Sequence, residues 1–433
     1  MRSRTWKLVG LSFIAFLVLS GITAVPFVHA ASLVTTMATH TSPVGVAYDP
    51  RTSEIFVSNY NSADIQVISD SNNTQVADIT NLPGAPYNMA YDSGKSEIWV
   101  AGASEAYAIS DTTNQIVANV TTHAPPSWGT LTQAAYDPKT GEVFVSYTDF
   151  NGASTPYIQV ISDSSNTVIA NITHAVTGIV DDSAKSEIFA SQYLDSSGLI
   201  SGNVSVISTK TNTVTNTIPI GGIPGLEAYD SVKGEIFVAN QVYNSSARPI
   251  YSSVIEVISD GNNKVTAIIH LPASVSPGPM AYNPNKGEIY INEGTSVAII
   301  SDKTNSVIGT VNTNGTVGTG SVAGGIAYDS GTSTVYAINN IGSAAGSMGG
   351  LAVVSDPSSG TSTTSATTST PTGTSVSSTT TPTSSSSLSS ASTSVSSSTS
   401  SSSLSLSYLA VVGVVAVMIL GTVPLTARRR RAQ

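Results

Sequence analysis

The chain has no cysteine, which excludes disulfides, thiolate metal sites and thiol nucleophiles and leaves the fold to be held by its apolar core. Charge is scarce as well. Asp, Glu, Lys and Arg make up 10% of the 433 residues, against roughly 25% in ordinary soluble domains. Ser, Thr, Asn and Gly take their place, giving a surface that is polar but sparsely ionised and therefore little subject to charge repulsion in acid. The net charge of −10 leaves no basic face to neutralise phosphates, which excludes nucleic acid as a partner. Enzyme signatures are missing too: no G-x-S-x-G elbow, G-x-x-x-x-G-K-[ST] loop or H-E-x-x-H helix occurs. The Gly-rich run 315–325 precedes no helical pattern and reads as a linker, not a phosphate cradle. No catalytic residue, metal site or cofactor is assigned on sequence.

Long apolar runs are confined to the two ends. Arg2, Arg4 and Lys7 precede the run 8–19, and Val28-His29-Ala30 has the small-x-small form of a signal-peptidase site, so residues 1–30 are expected to be a secretion signal. Residues 408–427 form an apolar stretch long enough for one membrane helix, and Arg428 to Arg431 follow it directly. The positive-inside rule puts those arginines, within the tail 428–433, in the cytoplasm and everything from 31 to 407 outside. Between 357 and 407 the chain is almost wholly Ser and Thr, unable to bury apolar area, and is expected to be an unfolded stalk. Asn-x-Ser/Thr sequons at Asn72, Asn119, Asn171, Asn203, Asn244 and Asn314 are glycosylation candidates that agree with an external location.

What remains, 31–356, is one repeated unit. Its clearest copy runs from Gly45 through Asp49, Glu54 to Asn59, Ile65 to Asp70, and on to Ile79. The acidic or amide residue closing the first segment recurs as Asp49, Asp92, Asp137, Asp182, Asp230, Asn283 and Asp329, at spacings of 43, 45, 45, 48, 53 and 46. Seven units of that period, each with four apolar or β-branched runs bounded by Gly, Pro, Asn and Asp, predict an all-β, seven-bladed β-propeller. The repeated Asp and Asn are read as turn-formers. The seventh unit stops after its third strand, at Ser355-Asp356, where the stalk begins. An unpaired edge would result. The missing strand stands at the mature N-terminus, where Leu33-Val34-Thr35-Thr36-Met37 matches the fourth-strand pattern, so the two ends are expected to close the ring.

These repeats resemble the YVTN β-propeller proteins of archaeal and bacterial surfaces, in Phe56-Val57-Ser58-Asn59, Phe237-Val238-Ala239-Asn240 and Tyr290-Ile291-Asn292, each followed by a Val-Ile-Ser-Asp-like strand and an Asn-x-Val element. The resemblance covers about three quarters of the chain and implies a surface-layer-like or binding role.

In a four-stranded blade the a–b and c–d turns lie on one face of the disc, and the b–c loops and d–a linkers on the other. Here the a–b and c–d turns are short and uniform, while the b–c segments 148–157, 193–202 and 242–253 are long and read as loops. The d–a linkers 121–132 and 312–323 add to the same face. Candidate binding residues are placed there. His40, His123, His174 and His270 each follow a fourth strand by one to three residues. Glu227 occupies a first-strand position filled elsewhere by Val46, Met89, Ala134, Ile179, Met280 and Ile326, and must reach the channel or find a partner. Asp181 interrupts a column of tyrosines beside the short turns and is expected to be solvated. The leading reading is a non-enzymatic surface module that binds an extracellular protein, a glycan or its own copies. The alternatives are a propeller enzyme of lactonase or quinoprotein type and a copper-binding surface protein.

Overall fold

The computed structural model describes residues 31–103, 105–122, 130–149, 157–174, 176–196, 199–243, 251–272, 277–315, 324–340 and 348–356. Within them, 28 strands form seven antiparallel four-stranded sheets, the blades of a propeller. Blade 1 holds β2 (Pro43–Asp49), β3 (Glu54–Asn59), β4 (Asp64–Ser69) and β5 (Thr74–Ile79) in order from the inside outwards. Blades 2 to 6 repeat that order, and the innermost strands touch their neighbours right around the ring. Among the described residues no helix is long and apolar enough to cross a membrane, and the expected span 408–427 lies outside them.

Blade 7 is completed as its strand count requires. Its chain-order strands β26 (Ile326–Asp329), β27 (Thr334–Asn340) and β28 (Gly349–Ser355) take β1 (Ser32–Thr39) as the outer fourth. β1 runs antiparallel to β28 with Ser32 opposite Ser355, Met37 opposite Leu351 and Thr39 opposite Gly349. The pairing is longer by two residues at its C-terminal end than the segment read from sequence.

Strand b supplies one large aromatic or aromatic-like anchor per blade: Phe56, Trp99, Phe144, Phe189, Phe237, Tyr290 and Tyr336 are all fully buried. Alternation along the strands sends successive side chains to opposite faces of each blade, so apolar clusters form between blades. Each of the seven seams holds one, from Ile55, Val57, Tyr336 and Leu351 between blades 7 and 1 to Tyr290, Val297 and Val335 between blades 6 and 7.

The short-turn face is built from two local devices. At the a–b turns the repeated Asp or Asn accepts a hydrogen bond from the backbone two residues on, as in Arg51 N to Asp49 Oδ1 at 2.8 Å and Asn285 N to Asn283 Oδ1 at 3.0 Å. The residue before the following Glu or Thr is left-handed in all seven blades, and is Ser or Gly, for example Ser53 at φ 60° and Gly234 at φ 69°. At the c–d turns a left-handed Asn recurs, as Asn73, Asn114, Asn166, Asn212, Asn263 and Asn305. Basic side chains from these a–b turns then cross to the next blade. Arg51 reaches Asp111, Lys95 the carbonyl of Asp163, Lys185 Asp260 at 2.8 Å, Lys233 Asp302 at 3.4 Å and Lys286 Asp356. Lys139 meets Ala184 O at 2.9 Å, because Thr209 stands where the next blade would offer an aspartate.

The opposite face differs between blades. The segment 193–202, read from sequence as a loop, is instead part of a β-hairpin, and this corrects that expectation. β15 (Glu187–Ser196) and β16 (Leu199–Ser208) stay paired up to Ser196 opposite Leu199. The ends of 242–253 are likewise strand, with Tyr243 opposite Tyr251 across β19 (Glu235–Tyr243) and β20 (Tyr251–Ser259). Backbone amides and carbonyls that leave the disc still need partners, and β-forming residues such as Tyr193, Leu194 and Ile200 let the two strands supply them to each other.

Candidate functional site

The candidate residues do not converge on one channel. His123 lies outside the described residues. His270 ends β21 (Lys264–His270) on the outer edge of blade 5 and is exposed. His174 is half-buried after the outer strand of blade 3, its Nε2 without a hydrogen-bond partner. Burial lowers the pKa of that imidazole and the backbone of Ala190 offsets part of the effect.

Glu227 sits on β18 (Ile223–Asp230), opposite Val238 of β19, and Val238 belongs to the apolar cluster between blades 4 and 5. The carboxyl is therefore placed in that seam, towards Ser191 of blade 4. The register of β18 slips between Pro224 and Glu227, and the freed carbonyls are taken up across the seam: Thr177 Oγ1 donates to Pro224 O at 2.8 Å and Ser191 Oγ to Gly225 O. Glu227 is 8% exposed and neither carboxyl oxygen has a partner at hydrogen-bonding geometry. Burial holds its pKa well above the ordinary carboxylate range, and the nearby Ser191 hydroxyl and amide soften the shift without cancelling it. Glu256 lies in the same row of blade 5, also opposite Val238 but on the other side of it. It differs in having a partner, the Asn240 amide at 2.9 Å.

Asp181 was expected to be solvated, and the structure corrects this. It is half-buried beside the short turns, and burial, with the charges of Asp137 and Asp182, pushes its pKa up to about 8. In blades 3 and 5 the tyrosine of this column donates to a c–d turn aspartate, Tyr136 to Asp163 and Tyr229 to Asp260, each at 3.3 Å. A protonated Asp181 presents a hydroxyl in their place.

Among the described residues, His40 is the one candidate histidine brought up to carboxylates. It follows β1 on the loop-bearing face, where its Nδ1 lies 2.9 Å from Asp64 Oδ2 and 3.9 Å from Asp78 Oδ1. Asp64 opens β4 and is buried. Asp78 lies on the outer strand β5 and is about one-third exposed. Sequence reading missed both aspartates, although their columns carried a signal. Aligned with Asp64 are Glu105, Tyr157, Asn203, Val254, Ser296 and Gly350, and aligned with Asp78 are Asn119, Asn171, Thr217, Ile268 and Thr310. Only blade 1 has an acid in both.

Of the sequon asparagines, Asn72, Asn119, Asn171 and Asn314 are exposed, Asn203 is half-buried and Asn244 lies outside the described residues. Exposure on turns and outer strands leaves room for a glycan at those four.

No family model matches the chain, and no curated protein matches it either. Among solved structures it is similar to hydrazine synthase of Kuenenia stuttgartiensis, with 14% identity and a TM-score of 0.56 over 69% of this chain and 93% of that one. Likeness at that identity speaks for the propeller fold alone.

Proposed function

We propose that this propeller is a binding module of YVTN type, displayed on the outside of the cell and recognising an extracellular protein, a glycan or a second copy of itself through its loop-bearing face. The observation that carries the reading is where the blades differ. Strands b and c have six residues each in blade 1 but ten each in blade 4, and the excess rises entirely from one face. The other face repeats the same turns in all seven blades, and a basic side chain crosses from the a–b turn in six of them. A uniform scaffold with divergent hairpins on one side is the usual division between support and recognition.

The chain path supports the orientation. Asp356 and the first residues of β1 both lie on the short-turn face, so a stalk continuing from 357 leaves the disc there. The hairpins of blades 4 and 5 then point away from the membrane, towards whatever is met outside. A non-enzymatic role is compatible with this arrangement, and so is a channel chemistry of lactonase or quinoprotein type, which would not depend on the hairpin tips.

Replacing residues 193–202 by a two-residue turn should abolish binding to the ligands found on protein and glycan arrays while lowering the melting temperature by no more than about 3 °C, since the excised hairpin tip adds little to the core. Undiminished array binding would rule out this face. For display, protease added to intact cells should release a fragment containing the propeller. A propeller that stays protected until the cells are lysed would contradict the topology.

A further inference from the structure

The closure seam between blades 7 and 1 differs from the other six on both faces of the disc. On the short-turn side it is the one seam, among the described residues, with no basic residue in the a–b turn: Thr332 stands where blades 2, 4, 5 and 6 carry Lys, and Gly331 where blades 1 and 3 carry Arg51 and Lys139. There Asp70 faces Asp329 across the seam, and burial together with that neighbouring charge raises the pKa of Asp70. On the loop side, three side chains from three separate segments converge. His40 comes from the linker after β1, Asp64 from the start of β4 and Asp78 from β5. Each can place one ligand atom within 4.8 Å of the other two.

Separations of 2.9 and 3.9 Å from the imidazole nitrogen to the two carboxylates fit neighbouring ligands around an ion bound at about 2.0–2.2 Å. Without a cation the two carboxylates, whose ligand atoms lie within 4.8 Å of one another, oppose each other. A second, independent feature is Asn59, at the end of β3. It is fully buried, and its amide nitrogen donates to Asp64 Oδ1 at 2.8 Å and to Gln66 Oε1 at 3.2 Å. The carbonyl oxygen of that same amide is buried with no hydrogen-bond partner. Gln66 Oε1 also accepts from the backbone N–H of His40 at 2.8 Å, which fixes the linker that carries the imidazole. The cluster is thus rich in oxygen acceptors, holds one imidazole, and leaves a buried carbonyl unused beside a buried carboxylate.

We propose that His40, Asp64 and Asp78 bind one divalent cation of the zinc or manganese class, and that this ion pins the N-terminal strand to blade 1. Mixed imidazole and carboxylate donors suit those ions better than a soft ion such as Cu(I), which favours thiolate and thioether sulfur. The site is separate from the hairpins of blades 4 and 5, and its role is to hold the closure. The competing account is a plain hydrogen bond from His40 to Asp64, with a proton where the ion would be.

The full chain, purified in mild detergent and stripped with a chelator, is titrated with Zn²⁺ and with Mn²⁺ by calorimetry. The expected result is saturable binding of one ion per chain, with a melting temperature raised by several degrees once the free ion is about 100-fold above its Kd. His40→Gln and Asp78→Asn should each weaken binding by about 10-fold or more. Asp78→Asn removes a partly exposed carboxylate, so its melting temperature in chelator should stay near that of the parent. Absence of saturable binding by both ions overturns the proposal and leaves the hydrogen bond. Binding that survives either substitution overturns it equally, because the ion then sits elsewhere.

Discussion

A chain beginning at His40 in place of Ala31 should lose more than about 4 kcal/mol of unfolding free energy. The missing segment is β1, eight residues paired along the whole of β28. Removing it takes away the outer strand of blade 7 together with the packing of Leu33 against the cluster between blades 6 and 7 and of Met37 against that between blades 7 and 1. It also bares the hydrogen-bonding edge of β28, whose residues Leu351 to Val354 are fully or almost fully buried. Two consequences should appear together: a lower midpoint in denaturant and a new tendency to associate through the exposed edge. A synthetic peptide of residues 31–40 should reverse both, by adding itself as a strand. Equal stability of the truncated and parent chains would mean that the ring is held without its N-terminal strand.

The second large effect is on pH. Among the described carboxyls, every resolved shift is upward. Burial is the first cause in each, whether at Glu227, at Asp181 with its value of about 8, or at Glu288 with about 7. A carboxyl with a raised pKa binds its proton more readily in the folded ring than in the unfolded chain. Stability therefore rises as pH falls through the window between the two values, which for Asp181 runs from about 8 down to the ordinary 3.8. At about 1.4 kcal/mol per pH unit, Asp181 alone contributes at most about 6 kcal/mol across that window, and its partial exposure reduces that figure. The unfolding free energy at pH 5 should exceed that at pH 8 by several kcal/mol. The double variant Asp181→Asn, Glu227→Gln should flatten the profile by gaining stability at pH 8 while changing little at pH 5. Denaturant melts across that range check it, and a parent protein most stable at pH 8 would refute it.

The propeller was legible in the sequence because its determinants are local and recur seven times. An Asp or Asn that caps its own turn, a left-handed Ser, Gly or Asn, and a buried aromatic on strand b each act within a few residues, so their period survives in the text of the chain. Closure was legible for a different reason: counting strands left one short at the end and one spare at the start. The hairpin over 193–202 was not, since its extra length relative to the other blades reads as an inserted loop and only the partner strand reveals the pairing. Glu227 stood out from the apolar residues of its column, but its direction depends on which face of β18 meets blade 4, and a register slip at Pro224 intervenes, so it lies in a seam and not in the channel. His40, Asp64 and Asp78 meet across a seam between two blades. No spacing rule within one repeat could have joined them, although two acids in otherwise mixed columns marked the place.

The way the chain leaves the ring also bears on force. β28 ends at Ser355, next to Asp356, and is held on one side by β27 and on the other by β1. Asp356 itself is gripped by the ammonium of Lys286 and the hydroxyl of Tyr290. If residues from 357 act as the proposed tether, a pull between them and a ligand on the far face would run along the axis of β28. Both of its ladders are then loaded in shear, with many hydrogen bonds sharing the strain at once instead of opening singly from one end. Placing the exit on a strand flanked on both sides, and not on the outer edge, makes the blade that closes the circle also the one best suited to carry tension.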